Sequence, residues 1–415
     1  MKHISIIILV AGIWSLAGSC RQRSGTSAEL MPLNWDVFNR EQLELLINEV
    51  GKNSAGFDAS KPPYIVVDWD NTSIFLDIEE AVIIEMMQKL VFGATPELLD
   101  YAIRKDVPTS DFAPEFNNLN GEAVNIEAVA TDIIASYRWL YANYSGLGGD
   151  KPLDVVMQSP HYMAFASKLR YLYDAIDGTF GHDISYPWVT YLFAGMNEQE
   201  VRALTRATIC SQLAMPVGQV TWTTPELLQG EAGAVSVTWK SGLRFVPEMQ
   251  NLYWTMAQNG FDIHVCSASF IDVVREIASN PDYGYNIPEE NIIAMELERD
   301  GNHRILPVFR EGYDQTQEEG KTKAIKRFLV STYGYGPVFV AGDSEGDQNM
   351  MQDFSDTRIS LIINRMRSPE SDIGRFSAQA TNEYGSDTPR YLLQGRDDNI
   401  GLFRRSPQSI KFGGN

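Results

Sequence analysis

Cysteine is scarce in this chain. Three cysteines occur in 415 residues, and setting aside Cys20 near the N-terminus leaves Cys210 and Cys266. Cys266 lies inside the apolar pattern FDIHVCSAS, which predicts a buried free thiol. A disulfide between Cys210 and Cys266 is the alternative, and it requires an oxidising compartment.

Basic residues are also in short supply. The chain has 34 Lys and Arg against 54 Asp and Glu, which gives a formal net charge of -20. An acidic surface argues against nucleic acid or an anionic membrane as a partner, and a bound phosphate group would need locally placed cations. The hydrophobic fraction of 44% is typical of globular proteins, and the length predicts a large core and two domains.

The N-terminal apolar run is short. Residues 4–16 are apolar but too few to span a bilayer comfortably, and small residues precede Cys20. This pattern predicts an export signal, and AGSC resembles a bacterial lipobox in which Cys20 becomes the lipidated first residue. We therefore expect a signal segment at 1–20, a polar tether at 21–34, and a periplasmic or lipid-anchored protein. An ordinary cleaved signal is the alternative.

Apolar periodicity predicts the local structure of the remaining chain. Residues 64–67 form a continuous apolar run, typical of a strand buried on both faces, between helical patterns at 35–50 and 78–90. Residues 91–241 are rich in helical patterns and aromatic side chains. From residue 243 onward, short apolar strands alternate with helices, which indicates a parallel sheet with right-handed crossovers.

This order predicts an α/β fold with an insertion. We expect a parallel-sheet core at 35–80 and 243–415, and a large, mainly helical insertion at 81–242 after the first strand. The segment YLLQGRDDNIGLFRRSPQSIKFGGN is polar and rich in glycine, and its pattern assigns it to neither helix nor strand.

Four polar clusters follow predicted strands, where ligands bind in open parallel sheets. They are DWDNT at 68–72, CSAS with Ser267, EGKTKAI with Lys321, and GDSEGD with Asp343 and Asp347. Each has a plain structural explanation when taken alone: Ser267 suits a helix N-cap and Lys321 a surface charge. Their shared position at strand-to-helix junctions predicts one common site.

The order D-x-D-x-T, S, K, G-D-x-x-x-D resembles the haloacid dehalogenase (HAD) superfamily, and its phosphatases in particular. The resemblance covers about residues 60–80 and 243–365. It implies that 35–80 and 243–415 form a HAD-like (Rossmannoid) catalytic core and that the helical insertion at 81–242 is the cap domain. It also implies that Asp68 attacks phosphorus to form an aspartyl-phosphate and that Asp70 is the acid–base partner. Ser267 and Lys321 would hold phosphate oxygens, and Lys323 is the alternative to Lys321.

The resemblance implies Mg²⁺ as the cofactor. Asp68 and Asp343 would supply carboxylate oxygens and Asp70 its backbone carbonyl, because Mg²⁺ prefers oxygen ligands and keeps some waters. Asp347 would hold a ligating water or orient Lys321.

The residues after the first motif bear on the leaving group. Glu79 and Glu80 resemble an acidic pair found in the phosphorylcholine phosphatase branch of the superfamily. That branch is similar to the phosphoserine phosphatase-like enzymes. A trimethylammonium group donates no hydrogen bonds, so carboxylates and aromatic faces would hold it. Acidic residues in a first helical turn also complement the helix dipole, and aromatic residues at helical spacing are commonly core. The residues we expect to contact substrate are Thr72, Glu79, Glu80, Tyr137, Trp139 and Tyr141.

We therefore expect an exported, Mg²⁺-dependent phosphomonoesterase acting on a small phosphate ester, with phosphorylcholine first. A phosphoserine, phosphoethanolamine or broad-specificity phosphatase is one alternative, and a non-catalytic choline-binding lipoprotein is another. A phosphoserine enzyme would need a cap arginine, for which Arg138 and Arg170 are the candidates. We expect no nucleic-acid partner, and membrane contact only through the lipid anchor; the sequence does not indicate the oligomeric state.

Overall fold

The computed structural model describes residues 28–414. The predicted signal segment, with Cys20, and the first part of the predicted tether lie outside the described residues. Within residues 28–414, no helix has both the length and the apolar character needed to cross a membrane.

The described chain is mainly helical between residues 78 and 214, and it contains strands interspersed with helices after that segment. The strands are β1 Tyr64–Val67, β2 Ile74–Phe75, β3 Gly218–Thr223, β4 Ser236–Ser241, β5 Arg244–Phe245, β6 Asp262–Phe270, β7 Ile292–Met295, β8 Leu297–Arg299, β9 Ile305–Phe309, β10 Phe339–Gly342, β11 Ile359–Ile363, β12 Tyr391–Gln394, β13 Arg396–Asp397 and β14 Leu402–Phe403. The helices are α1 Val37–Val50, α2 Ile78–Lys89, α3 Pro96–Arg104, α4 Ile126–Asn143, α5 Leu153–Val156, α6 Pro160–Phe180, α7 His182–Thr190, α8 Glu198–Ala214, α9 Pro247–Gln258, α10 Ile271–Ser279, α11 Glu319–Ile325, α12 Ser331–Tyr333, α13 Gln348–Gln352 and α14 Asp372–Asn382.

A six-stranded sheet forms the core, in the order β12-β11-β10-β1-β6-β7. All neighbouring strands in it are parallel. Strands β1, β10 and β11 are buried along their whole length, as expected for a parallel sheet covered on both faces. The α/β class with a HAD-like parallel core, predicted from the sequence, is confirmed. Val67 at the end of β1 pairs with Ala341 of β10 and with Val265 of β6, so the residues that follow these three positions meet at one edge of the sheet.

The segment between β1 and β6 is mainly helical, as predicted. Helices α4 and α6 pack against each other, and α8 packs against α10 of the core and against α2. The segment also contains the antiparallel hairpin β3–β4, which the sequence reading did not predict. Helix α2 runs unbroken across the predicted boundary between residues 80 and 81. The division into core and cap stays a prediction.

The C-terminal segment supplies an edge of the sheet. Strand β12 pairs in parallel with β11, and the short hairpin β13–β14 follows it. The sequence pattern had not placed these residues. Their role in the core follows from the burial of all four residues of β12, which carry three apolar side chains and one amide.

Candidate active site

Asp68 lies directly after β1, in the middle of the sheet edge. Its amide N–H donates to the Ala341 carbonyl at 2.9 Å. Its Oδ1 accepts from Lys321 Nζ at 2.6 Å, and its Oδ2 accepts from Thr72 Oγ1 at 3.0 Å. Burial, and next the charge of Asp347, raise the pKa of Asp68, and Lys321 opposes this shift. A further cation at this carboxylate would therefore favour its charged form.

Lys321 bridges two buried carboxylates. Its Nζ lies 2.6 Å from Asp68 Oδ1 and 2.6 Å from Asp347 Oδ1, and the residue is 2% exposed. Burial disfavours its charge, but Asp347 and Asp68 outweigh burial and raise the pKa of Lys321. Lys323, the alternative, is exposed and pairs with Glu319. The structure places Lys321, and not Lys323, beside Asp68.

Two glycines allow this close packing. A Cβ on Gly320 would lie 1.6 Å from the Gln315 carbonyl oxygen, and one on Gly342 would lie 2.5 Å from Asp347 Cβ. Real Cβ atoms do not approach so closely. The glycines therefore let α11 carry Lys321 into the site and let Asp347 fold back against the end of β10.

Asp343 follows β10 and faces Asp68 across Thr72. Its Oδ1 lies 3.0 Å from Thr72 Oγ1, and its Oδ2 accepts from Arg365 Nη1 at 2.6 Å. Burial alone would raise the pKa of Asp343, but Arg365 and Arg367 outweigh it and lower that pKa. The Thr72 hydroxyl has one proton, so it can donate to Asp68 or to Asp343 but not to both at once.

The three carboxylates form a candidate metal centre. Oxygens of Asp68, Asp343 and Asp347 lie within 4.8 Å of one another, and all three residues are buried. Asp347 accepts from Lys321 through Oδ1, and from the N–H groups of Asp343 and Ser344 through Oδ2. Both of its oxygens are therefore committed, which places it as support for Lys321. Asp68 Oδ2 and Asp343 Oδ1 are the oxygens that best fit a hard cation such as Mg²⁺.

Asp70 is held at both carboxylate oxygens. Its Oδ1 accepts from the Ile78 N–H at 2.7 Å, at the start of α2, and its Oδ2 accepts from Ser269 Oγ at 2.7 Å. Burial is the main cause that raises the pKa of Asp70, followed by the charge of Asp77. The carboxyl group is thus fixed in place and biased towards its neutral form.

Ser267 lies within β6, because this strand continues to Phe270 instead of ending at Cys266 as expected. Ser267 is 1% exposed and lies at the wall of the catalytic pocket. Its Oγ accepts from the Ser269 N–H at 3.1 Å, and its carbonyl accepts from Thr316 Oγ1. The alternative of an N-cap does not hold, since helix α10 starts four residues later and has no side-chain cap.

Asp68 and Asp343 line a small pocket with a volume of about 70 Å³. On the same scale one water molecule occupies roughly 10–15 Å³. The pocket therefore suits a small ligand. The side chains that line it come from the core and from the cap helices α6 and α7. They are those of Asp68, Asp70, Asn71, Asp77, Glu79, Tyr173, Tyr186, Ser267, Ala268, Ser269, Lys321, Asp343, Ser344 and Arg365.

Glu79 and Glu80 have different surroundings. Glu79 is buried in the pocket wall, where its Oε1 accepts from the Phe270 N–H at 2.9 Å. Burial, and next the charge of Asp77, raise the pKa of Glu79. Glu80 is bonded to Arg170, which also pairs with Asp174. The Glu80 charge is therefore neutralised from the cap side, and Arg170 is already committed to protein carboxylates.

Four expected substrate contacts are not placed in the pocket wall. Thr72 is fully buried beneath the carboxylates, because its hydroxyl lies between Asp68 and Asp343. The cage expected from Tyr137, Trp139 and Tyr141 is not formed at the site.

These three rings pack within the cap, with Tyr137 buried and Trp139 and Tyr141 half-buried. Tyr137 is buried, stacks on Phe165 and donates to the Ala94 carbonyl at 2.7 Å. Trp139 stacks on His161 at 4.9 Å, and Tyr141 packs edge-on against Tyr137. The aromatic residues at helical spacing are thus packing residues of α4, as the alternative reading had it.

Sequence reasoning missed several residues that line the pocket. Tyr173 and Tyr186 replace the expected aromatic group, but their helical spacing in sequence looks the same as that of Tyr137. Ser269 had a usable signal: it stands two residues after Ser267, so in a strand both point to the same face. Arg365 had none, because nothing in ISLIINR indicates that its arginine turns towards Asp343.

This parallel core, with its paired aspartates, buried lysine and G-D-x-x-x-D turn at one sheet edge, defines a member of the haloacid dehalogenase superfamily. No protein-family model matches the chain. The crystal structure of a functionally unknown protein from Anaerococcus prevotii DSM 20548 is similar, with a TM-score of 0.87 and 33% identity. The similarity covers 93% of this chain and 100% of that chain, so this protein belongs to the same family as the Anaerococcus protein.

A second relative has a named activity. The chain is 24% identical over 281 residues to "Phosphorylcholine phosphatase" from Pseudomonas aeruginosa. The match covers 68% of this chain and 59% of the length of that protein. This chain therefore spans less than two thirds of the length of that relative.

Proposed function

We propose that this protein is a phosphomonoesterase that hydrolyses a small phosphate ester through an aspartyl-phosphate on Asp68. The observation that carries the proposal is the placement of Lys321 at 2.6 Å from Asp68, beside Asp343 and a fixed Asp70. A carboxylate that attacks a phosphate ester needs neutralising charge and a proton donor for the leaving alcohol. This site supplies both within one small pocket.

Each residue has a distinct role in the proposed reaction. Asp68 attacks phosphorus, and the alcohol oxygen leaves with a proton from Asp70. Asp70, now a carboxylate, takes a proton from the water that hydrolyses the aspartyl-phosphate. Lys321 and the Ser267 hydroxyl hold phosphate oxygens, and Asp347 holds Lys321 in place.

The donor set fits Mg²⁺. Asp68 and Asp343 would hold the ion with carboxylate oxygens, together with the backbone carbonyl of Asp70. When bound, Mg²⁺ would offset the negative charge that builds up as two anionic groups approach. Arg365 donates to Oδ2 of Asp343, and this contact keeps Oδ1 of Asp343 turned towards Asp68.

Phosphorylcholine is the proposed substrate. Besides the metal centre and Asp70, the pocket wall carries the carboxyl groups of Asp77 and Glu79 and the side chains of Tyr173 and Tyr186. Negative charge and aromatic faces bind a quaternary ammonium group, which can accept no hydrogen bond and donates none. The name of the Pseudomonas relative supports the same choice. Arg365, the arginine of the pocket wall, is already bonded to Asp343, which weakens the case for phosphoserine.

The first test is kcat/KM for phosphorylcholine, phosphoethanolamine and phosphoserine, measured with Mg²⁺ on the chain starting after Cys20. We expect the highest value for phosphorylcholine. Asp68→Asn should abolish turnover of all three esters while the protein stays folded, and substantial residual activity would overturn the role of Asp68. Choline binding without turnover of any ester would instead support the non-catalytic lipoprotein.

The specificity claim needs its own variant. Glu79→Gln keeps the shape of the side chain and removes its charge, so KM for phosphorylcholine should rise while p-nitrophenyl phosphate is little affected. Glu80→Gln is the matched neighbour, and because Arg170 already neutralises Glu80, we expect a smaller effect. Equal effects of both changes on both esters would remove the choline assignment but keep the phosphatase.

We also propose export and lipid anchoring through Cys20. The support is the short apolar run followed by AGSC in the sequence. In cells fed a labelled fatty acid, the full chain should become labelled and Cys20→Ala should not. Release of an unlabelled, shortened protein from the unchanged chain would point to an ordinary cleaved signal.

A further inference from the structure

Ser269 has a defined place beside the proposed acid–base group. It lies on β6, is 4% exposed, and is part of the pocket wall. Its Oγ lies 2.7 Å from Asp70 Oδ2. The strand pairing of β6 with β7 is irregular between Cys266 and Phe270, so Ser269 stands in a locally distorted part of the strand.

The two oxygens of Asp70 are not equivalent. Oδ1 faces the Ile78 backbone N–H at 2.7 Å, and a backbone N–H can only donate. Oδ1 is therefore held by the first turn of α2. Oδ2 faces a side-chain hydroxyl, which can donate to it or accept from it. The Asp70 carboxyl is thus fixed by the backbone at one oxygen and by a side chain of the pocket wall at the other.

We infer that Ser269 is a positioning residue that holds Asp70 Oδ2 where it can reach the leaving group. The inference rests on the proposed phosphatase function and deepens it. In the proposed reaction Asp70 gives a proton to the alcohol oxygen as the phosphorus–oxygen bond breaks, and it later takes a proton from water. The Ser269 hydroxyl holds the carboxyl group that makes both transfers.

The consequence depends on the leaving group. An alkoxide such as that of choline needs a proton as it leaves, whereas p-nitrophenolate leaves without one. Ser269→Ala should therefore lower kcat for phosphorylcholine by about 10- to 100-fold, the size expected for losing a hydrogen bond to a charged group. For p-nitrophenyl phosphate we expect a change of less than about threefold, and KM should change little for both esters.

A double-mutant cycle isolates the link between the two residues. If Ser269 acts through Asp70, Ser269→Ala should cost nothing further for phosphorylcholine once Asp70→Asn is present. Ser269→Thr keeps the hydroxyl and should restore most of the rate. Ser360→Ala is a matched control, because it removes another buried serine hydroxyl that donates to the Met351 carbonyl.

The outcomes separate the inference from the proposed function. If the unchanged protein turns over both esters and Asp68→Asn does not, the phosphatase proposal stands whatever Ser269 does. Equal losses for both esters, or additive losses with Asp70→Asn, would overturn the positioning role. If Ser269→Ala lowers the unfolding midpoint much more than Ser360→Ala does, Ser269→Cys replaces it in the same comparison, because it keeps the side-chain size with a weaker donor.

Discussion

Replacing Lys321 with methionine is the sharpest test of how this site is built. The change removes a buried cation that bonds two buried carboxylates at 2.6 Å each and leaves a side chain of similar length. Removing one partner of a buried ion pair typically costs about 3–5 kcal/mol in free energy of unfolding. At roughly 0.8 kcal/mol per kelvin for a chain of this length, the unfolding midpoint should fall by about 4–6 °C.

The loss should depend on pH in a set direction. Without Lys321, the pKa of Asp68, which burial already raises, rises further above its value in the unfolded chain. The folded variant then binds protons that the unfolded chain does not, so its stability rises as pH falls. The deficit of Lys321→Met relative to the unchanged protein should therefore shrink between pH 8 and pH 5.

Urea unfolding followed by tryptophan fluorescence, at pH 5 and at pH 8, would measure the loss in free energy of unfolding and its pH dependence. EDTA should be present, because a bound metal would partly replace the missing charge. Lys323→Met is the control, since it removes the same charge two residues away from an exposed pair with Glu319, where we expect about 0.5 kcal/mol or less. A loss no larger than that of the control, or one that is the same at pH 5 and pH 8, would refute the reasoning.

Three further predictions concern the scaffold. Burial lowers the pKa of His264 to about 4, so acid removes up to about 3 kcal/mol of stability as pH falls from 7 to 4, and His264→Gln should show a flatter pH dependence of its urea midpoint. Arg396→Met removes a donor to the Asn71 carbonyl and side chain, so kcat should fall about tenfold with the fold retained. An unchanged kcat would show that the loop carrying Asp70 and Asn71 keeps its conformation without Arg396. Tyr137→Phe removes a buried hydrogen bond to Ala94 and should cost about 1 kcal/mol in stability without changing the preference among phosphate esters, whereas an altered preference would return it to the substrate site.

The sequence was most informative for residues whose position in the site follows from the order of the strands along the chain. Asp68 and Asp343 directly follow β1 and β10, and Ser267 lies in β6 on the other side of β1, so their meeting at one edge follows from the strand order. The strand at residues 64–67 and the start of helix α2 at Ile78 agree with the sequence pattern, because a buried strand and an amphipathic helix have distinct periods.

The cap was harder to predict for a physical reason. A helical period shows that one face is apolar, but it does not show which partner that face meets. Tyr137 and Tyr173 lie on helices α4 and α6 that pack together, yet Tyr173 lines the pocket and Tyr137 is core. Strand β12 was missed because its four residues are followed directly by Gly395 and charged residues, a pattern that is typical of a loop. Its strand conformation depends on pairing with β11, which is not evident from the local sequence.

Strand β12 and the arginine that follows it set an order for folding. Arg396 reaches the carbonyl and side chain of Asn71, which is 325 positions earlier and adopts a left-handed backbone with φ of 59°. The loop that carries Asp70 is thus supported by one of the most distant contacts in the described chain. Long loops close slowly, so local helices form first and contacts of this range form late. A ribosome-bound or partly translocated chain that still lacks residues 391–403 should therefore hold an incomplete site, and chemistry would begin only after the sheet has gained its sixth strand.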